Sequence, residues 1–143
     1  MIYLEDFQVS QKVITRGRTV TEADIVMFAA LSGDWYGIHV DAELAQKTIF
    51  GGRIAHGFLV LSIASGFVTP YEVAVIAFYG MDKVRFTGPV KIGDTINLET
   101  EVIEIQDKGE FGVVASQWHI KNQRGEDVAV LVTKVAVAKK PKK

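Results

Sequence analysis

The chain has 143 residues, of which 48% are hydrophobic and 23% are charged, and its formal net charge is −1. This composition opposes intrinsic disorder and predicts a single domain with a hydrophobic core over residues 1–143. The near-neutral charge gives no basis for nucleic-acid binding. The lack of cysteine excludes disulfides, thiol catalysis and a cysteine-ligated zinc site.

Neither end of the chain predicts membrane attachment. The N-terminal residues lack the basic region and the small-residue cleavage site of a signal peptide. The longest apolar run, residues 57–68, is shorter than the ~20 residues that span a bilayer. We therefore expect a cytoplasmic protein that does not associate with membranes. The basic residues 139–143 are predicted to form a frayed, solvated tail.

The first predicted helix begins after Thr21, a favourable N-cap residue, and Asp24 three positions later approximates a capping box. Apolar residues from Ile25 onward recur at helical spacing and give this helix an apolar face. Gly33 stands where a left-handed C-terminal cap is expected, so the helix should end there. Asp34 is consequently predicted to lie on a turn just beyond the helix.

Two further helices are predicted downstream. Asp41 can cap a short helix over residues 42–47, and residues 48–53, which contain two adjacent glycines, are expected to form a loop. A third helix starts near His56 and ends before Pro70. Because this helix is apolar nearly all round, it should be buried on most sides.

The second half of the sequence is strand-like. Apolar and polar residues alternate from Ile96 to Val102, and the pattern then slips by one position, which predicts a bulge at that point. Residues 128–137 are apolar on both faces, as in a central strand. Helices in the first half and strands in the second favour an α+β fold, with an antiparallel β-sheet wrapped around the long apolar helix. Dimerisation would cover the exposed edges of such a sheet.

Two groups in this layout can carry chemistry. Asp34 and His39 lie between two capped helices and flank Gly37, where the backbone can turn sharply. Gly57 begins the long helix, whose first N–H groups have no internal partner and carry a partial positive charge. A carboxylate and an imidazole can exchange protons with water, and a helix N–H can stabilise a developing oxyanion.

These residues resemble a known signature. Three segments, residues 28–34 (FAALSGD), 38–41 (IHVD) and 54–58 (IAHGF), are similar to the hydratase-2 signature of the MaoC-like, (R)-specific enoyl-CoA hydratases. The resemblance continues through residues 19–24 and 84–94, so it covers most of the chain. It implies a hot-dog fold, in which an antiparallel sheet wraps around a long central apolar helix.

The resemblance also implies roles for individual residues. Asp34 and His39 would hold and activate a water that adds to C3 of a trans-2-enoyl thioester. The resemblance leaves open which of the two residues is the base and which is the acid. The N–H of Gly57 would bind the thioester oxygen. Ser65 matches a position where the family often has a serine that supports the catalytic aspartate, although a helical serine can equally bond to its own backbone.

One departure from the family pattern lies inside the signature. The family usually has Asn-Pro between the aspartate and the histidine, and Tyr36-Gly37 occupy these positions in this chain. The asparagine normally helps to fix the loop, so its replacement affects the local geometry. Trp35 and Tyr36 add aromatic bulk beside the site, where they can reshape the acyl pocket or anchor packing.

The other histidines are assigned smaller roles. His56 is expected to support the loop without titrating in catalysis, and His119 is expected at the surface of a strand. The three histidines of the chain, His39, His56 and His119, are widely separated in sequence and lack metal-ligand spacing. No metal site is therefore predicted. The sequence has no phosphate loop or dinucleotide fingerprint, so no cofactor is expected, CoA being part of the substrate.

The sequence therefore predicts a lyase, an enoyl-CoA hydratase that also runs in reverse as a 3-hydroxyacyl-CoA dehydratase. The acyl chain length, the carrier and the pathway stay open. The alternatives are a thioesterase on the same fold and a non-catalytic acyl-CoA-binding module, which the Tyr36-Gly37 replacement favours. The expected partners are an acyl-CoA or acyl-carrier-protein thioester and further copies of the chain, in a homodimer or a larger homo-oligomer.

Overall fold

The computed structural model describes residues 1–142 and divides them into a helical first half and a strand-rich second half. The α-helices within these residues are α1 (Glu22–Ser32), α2 (Gly37–Val40), α3 (Ala42–Gln46) and α4 (Gly57–Phe67). The strands are β1 (Lys12–Ile14), β2 (Arg18–Thr19), β3 (Val75–Phe86), β4 (Thr95–Asp107), β5 (Phe111–Lys121) and β6 (Asp127–Ala138).

All pairings between these strands are antiparallel, in the order β1-β4-β5-β6-β3, and β2 also pairs with β4. Strand β6 thus lies inside the sheet, as the apolar pattern on both of its faces predicts, and β3 lies at the end. With α4 packed against the sheet, this arrangement is the predicted hot-dog fold of the α+β class.

The local signals at the ends of α1 are confirmed. The hydroxyl of Thr21 accepts the N–H of Asp24, and the Asp24 carboxylate accepts the N–H of Thr21 at 2.9 Å. At the other end, Gly33 has a φ of 79° and its N–H donates to the carbonyl of Ala29 at 2.8 Å. A positive φ is unfavourable for residues with a side chain, which explains the glycine.

The slip in the β4 pattern is also confirmed, since the pairing of β4 with β5 shifts register between Val102 and Glu104. Three short elements were not predicted. Strands β1 and β2 are only three and two residues long, and α2 has four residues. Elements of this length carry too few residues for a periodic pattern.

Helix α4 forms the centre of the main core. Its buried side chains, including Leu59 and Ile63, pack in one cluster with strand residues such as Leu98 and Leu131. The predicted burial on most sides is wrong for this single chain, because Phe58 is 73% exposed. The remaining exposed α4 residues are Ser62, Ser65 and Gly66.

The basic tail is partly fixed. Lys139 forms an ion pair with Asp107, and Lys140 forms one with Asp6. For these two lysines the structure therefore shows contacts where a frayed end was predicted, while Lys143 lies outside the described residues. Among residues 1–142, no helix has both the length and the apolar character needed to cross a membrane.

Candidate active site

Asp34 lies directly after the left-handed residue that ends α1. Its N–H donates to the hydroxyl of Ser32 at 3.1 Å, and its carboxylate oxygen Oδ1 accepts the N–H of Tyr36 at 3.2 Å. The second contact is an Asx turn, a common use of aspartate at chain reversals. The predicted position of Asp34 on a turn is confirmed, and its carboxylate is exposed to water.

His39 lies on α2, and its side chain is buried. Its Nδ1–H donates to the carbonyl of Ile54 at 2.7 Å, since a carbonyl oxygen can only accept. The other ring nitrogen, Nε2, then carries no proton, and it makes no hydrogen bond within residues 1–142. Arg53 fixes the same segment, because its Nε donates to the carbonyl of His39 at 2.7 Å and its guanidinium pairs with Glu22 at 2.6 Å.

His56 contacts both Asp34 and His39. Its Nε2–H donates to the carbonyl of Asp34 at 2.9 Å, and its ring stacks on that of His39 with centroids 3.8 Å apart and planes at 27°. Phe28 of α1 covers the His56 ring at a centroid distance of 4.9 Å. One side-chain oxygen of Asp34 and one ring nitrogen of each histidine all lie within 4.8 Å of one another.

This grouping corrects one premise of the sequence analysis. His39 and His56 are far apart in sequence but are in contact, so their sequence separation does not exclude a shared metal site. Two imidazoles and a carboxylate are suitable ligand types. Their nitrogen lone pairs lie in the ring planes, so binding of one ion would require lone pairs from two stacked rings, whose planes are 27° apart, to converge on it. The lack of a metal stays a prediction.

Gly57 is the first residue of α4. The side chain of the N-cap residue His56 accepts no hydrogen bond from the helix N–H groups, and its Nε2–H donates to the carbonyl of Asp34. A Cβ atom added at Gly57 would lie 2.8 Å from the ring of Phe86, closer than real Cβ contacts. Close packing against Phe86 therefore explains the glycine by itself, and the same lack of a side chain opens the helix N-terminus to a ligand.

The remaining predicted residues contribute less to this grouping. The hydroxyl of Ser65 donates to the carbonyl of Ser62 at 2.6 Å, so it bonds to its own helix, and no hydrogen bond within residues 1–142 joins it to Asp34. Trp35 and Tyr36 are 53% and 69% exposed, so they do not anchor packing within a single chain. His119 is half-buried on the sheet, where its Nδ1 lies 3.2 Å from the carboxylate of Asp127.

A large groove between α1 and α4 adjoins the grouping through Phe28. Its volume is about 1180 Å³, and its walls are mostly apolar. Arg16 and Arg18 lie at one side of it. Sequence patterns did not reveal this groove, since its two helices are separated in sequence by residues 33–56. The apolar wall residues include Met27, Leu31, Leu59, Ile63 and Phe67.

Asp24 also borders this groove. Its partial burial raises the pKa of the carboxyl, but hydrogen bonds from the Thr21 N–H and the Arg18 guanidinium outweigh burial and place the pKa below the usual 3.8. The Arg18 Nη2 atom lies 2.6 Å from Asp24 Oδ1. The carboxylate therefore stays ionised at neutral pH and orients Arg18 at the groove.

Comparison with known proteins decides the family. The family described as MaoC like domain matches residues 6–123, which is more than half of the chain. The chain belongs to the MaoC-like domain family. Protein MaoC of Klebsiella aerogenes is 48% identical to it over 97 residues, which cover 67% of this MaoC-like chain and 29% of that protein. The match thus spans less than a third of the Klebsiella protein.

Two further relatives of this MaoC-like chain are similar over greater lengths. The (R)-specific enoyl-CoA hydratase of Rhodospirillum rubrum is 34% identical over 109 residues, covering 76% of this chain and 75% of that protein. A solved structure described as monoamine oxidase regulatory protein from Archaeoglobus fulgius is 46% identical, has a TM-score of 0.92 and covers 98% of this chain and 96% of its own. The predicted family and fold are therefore confirmed, and the roles of Asp34, His39 and Gly57 stay predictions.

Proposed function

We propose that this protein catalyses the reversible hydration of trans-2-enoyl thioesters to (R)-3-hydroxyacyl thioesters, with acyl-CoA or acyl-carrier-protein thioesters as substrates. The observation that carries the proposal is the grouping of an exposed carboxylate, Asp34, with a ring nitrogen of His39 within 4.8 Å, beside the N-terminus of α4. The named hydratase relative supports the same reaction.

In the proposed reaction, Asp34 and His39 hold one water between them. One O–H bond of the water breaks as its oxygen bonds to C3, and the released proton is balanced by protonation of C2 from the same pair. Negative charge develops on the thioester oxygen, where the N–H of Gly57 and the dipole of α4 stabilise it. The apolar groove beside Phe28 has the walls that an acyl chain requires.

Crotonyl-CoA tests this proposal directly, since hydration removes the absorbance of the conjugated enoyl thioester. We expect turnover by the wild type and a loss of at least ~10²-fold in Asp34→Asn, as for removal of an acid/base group. Asp107→Asn is the matched control, because Asp107 is an exposed aspartate paired with Lys139 in a hairpin of the sheet, and its rate should be unchanged. Full activity in Asp34→Asn would refute the mechanism.

A second candidate is a non-catalytic acyl-thioester-binding module. Two observations favour it: Tyr36-Gly37 replace the usual Asn-Pro, and the similar Archaeoglobus protein is described as regulatory. This candidate predicts saturable binding of enoyl-CoA without turnover at any chain length. A thioesterase would instead release free thiol, which a thiol-reactive dye detects.

A second copy of the chain is proposed to cover the free edge of the sheet. Strand β3 pairs with β6 on one side only among the described residues, and it exposes a row of large apolar side chains. Long exposed apolar edges are prone to pairing. Sedimentation should give about twice the 15.7 kDa chain mass, and a single-chain species would contradict the dimer. The exposed large apolar residues of β3 are Val75, Ile76, Phe78, Tyr79, Met81 and Phe86.

A further inference from the structure

His56 contacts both members of the proposed acid/base pair, although it takes no part in the hydration step. On one side its Nε2–H donates to the carbonyl of Asp34 at 2.9 Å. On the other side its ring stacks on His39 at 3.8 Å. Only 2% of its surface is exposed, so the ring is separated from any substrate in the groove by the residues that cover it.

The hydrogen bond defines the tautomer of His56. A carbonyl oxygen can only accept, so Nε2 carries the proton. The other nitrogen, Nδ1, is buried and has no hydrogen-bond partner within residues 1–142. A proton on Nδ1 would be buried without an acceptor, which is unfavourable. The ring is therefore held with its single N–H directed at Asp34, and it has no proton to pass to a substrate.

The unpaired Nδ1 of His56 helps to tell which of the two contacts requires an imidazole. A phenylalanine ring could stack on His39 and fill the same space without the unsatisfied Nδ1, but it would leave the carbonyl of Asp34 without this donor. What phenylalanine cannot supply is the hydrogen bond to Asp34. The distinctive contribution of the imidazole is therefore this bond, and the stacking is a contribution that other flat side chains share.

We propose that His56 is a positioning residue. Its single rigid ring contacts both Asp34 and His39 and thereby fixes the distance between them. This inference rests on the proposed function. The hydrogen bond fixes the backbone of Asp34, and with it the carboxylate, while the stacking fixes the ring plane of His39. Misplacement of a reacting group by ~1 Å can cost ~10²-fold in rate, so loss of such a ring should reduce turnover without removing any reacting group.

Two variants of His56 separate its contacts. His56→Phe keeps a stacked ring and loses the hydrogen bond, and we expect kcat for crotonyl-CoA to fall by ~10–10²-fold with KM changed by less than about threefold. His56→Gln keeps an N–H donor that can reach the Asp34 carbonyl, so it should recover part of this loss. His119→Gln is the control and should keep the wild-type kcat. A full wild-type kcat in His56→Phe would overturn the proposal.

Two kinetic readouts distinguish positioning from direct proton transfer and from a general loss of structure. The pH–rate profile of His56→Phe should keep both limbs, because the acid and the base are still present; a missing limb would make His56 an acid/base group and overturn the proposal. In an Asp34→Asn background, His56→Phe should have little further effect, since the group it positions is already disabled. Fully additive losses would show that His56 acts independently of Asp34.

A readout without activity keeps this inference separate from the proposed function. If the wild type turns over no enoyl-CoA, the hydratase proposal fails, and ¹⁵N NMR of the histidine rings still tests the contacts. We expect a protonated Nε2 and an unprotonated Nδ1 in His56, and a marked change in the His39 ring signals in His56→Gln, where the stacking is lost. Unchanged His39 signals, or a protonated Nδ1 in His56, would contradict the positioning role.

Discussion

The two ends of α4 differ in their surroundings. At the N-terminal end, the imidazoles are tied to backbone carbonyls, His39 to Ile54 and His56 to Asp34. At the C-terminal end, Val68 borders an apolar cavity of about 420 Å³ between the sheet and the N-terminal residues. Its other walls include Phe7, Val102, Val114, Trp118 and Val137.

This difference implies that activity and stability depend on different parts of the structure around α4. Hydrogen bonds at the first end are directional, so small displacements there change the geometry of the proposed chemistry. Packing along the rest of α4 depends on volume, so changes there alter the free energy of unfolding. Substitutions along α4 and its neighbours should therefore divide into those that lower activity and those that lower stability.

The largest expected effect is on stability. Leu98 of β4 is fully buried in the cluster that packs α4 on the sheet. Leu98→Ala leaves a cavity there, and we expect a loss of about 2–5 kcal/mol in the free energy of unfolding, measured with urea. The exposed Ile103 of the same strand is the control, since Ile103→Ala should stay within about 0.5 kcal/mol. Equal losses in both variants, or a lower rate per folded Leu98→Ala molecule, would contradict the division.

The next effect is on activity. Gly57→Ala places a methyl group 2.8 Å from the ring of Phe86, so either the helix N-terminus or the ring must move. We expect kcat/KM for crotonyl-CoA to fall by ~10²–10³-fold, the usual effect of losing an oxyanion donor.

Gly66 provides the matched control in the same helix. Although Gly66 borders the groove, an added Cβ meets no atom within 4 Å. Gly66→Ala therefore adds a methyl group to the same helix without a clash, so it should lower kcat/KM far less than Gly57→Ala and stabilise the helix by about 0.5–1 kcal/mol. Wild-type activity in Gly57→Ala would remove Gly57 from the proposed mechanism.

Local rules explain which parts could be predicted from the sequence. The capping box of Thr21 and Asp24, the left-handed Gly33 and the slip at Val102 each depend on neighbouring residues, and each is confirmed. The helix end at Gly33 likewise predicted Asp34 on its turn. Such features are set by hydrogen bonds and periodicity over a few positions.

The contacts that assemble the site could not be predicted in this way. The acceptor for His39 is the carbonyl of Ile54, and every residue carries a carbonyl, so no sequence pattern identifies it. The stacking of His39 on His56 depends on how the loop folds back over the start of α4. The exposure of Phe58 was missed for a related reason, because an apolar pattern does not state whether its own chain or a second copy covers a face.

A smaller effect is expected at the start of α1, the helix that carries Asp34 just beyond its other end. Thr21→Ala removes the hydroxyl that accepts the N–H of Asp24, and we expect a loss of about 1 kcal/mol in the free energy of unfolding. Thr21→Ser keeps the hydroxyl and should lose much less. If both variants are equally unstable, the capping contact contributes nothing and the loss comes from the missing methyl group.

The smallest effect is a pH dependence. The pKa of Asp24 lies below 3.8 in the folded protein: burial raises it, but the Thr21 and Arg18 hydrogen bonds outweigh burial. A lowered folded-state pKa stabilises the fold above the unfolded value near 3.8, and this contribution is lost as the pH falls through the folded pKa. Asp24→Asn should therefore be less stable than the wild type at pH 7, and the gap should shrink below about pH 3.8. Urea unfolding between acidic and neutral pH measures the gap, with Arg18→Gln reporting the share that comes from the ion pair. A gap that stays constant with pH would show that Asp24 acts at the helix start through its shape and hydrogen bonds, and not through its charge.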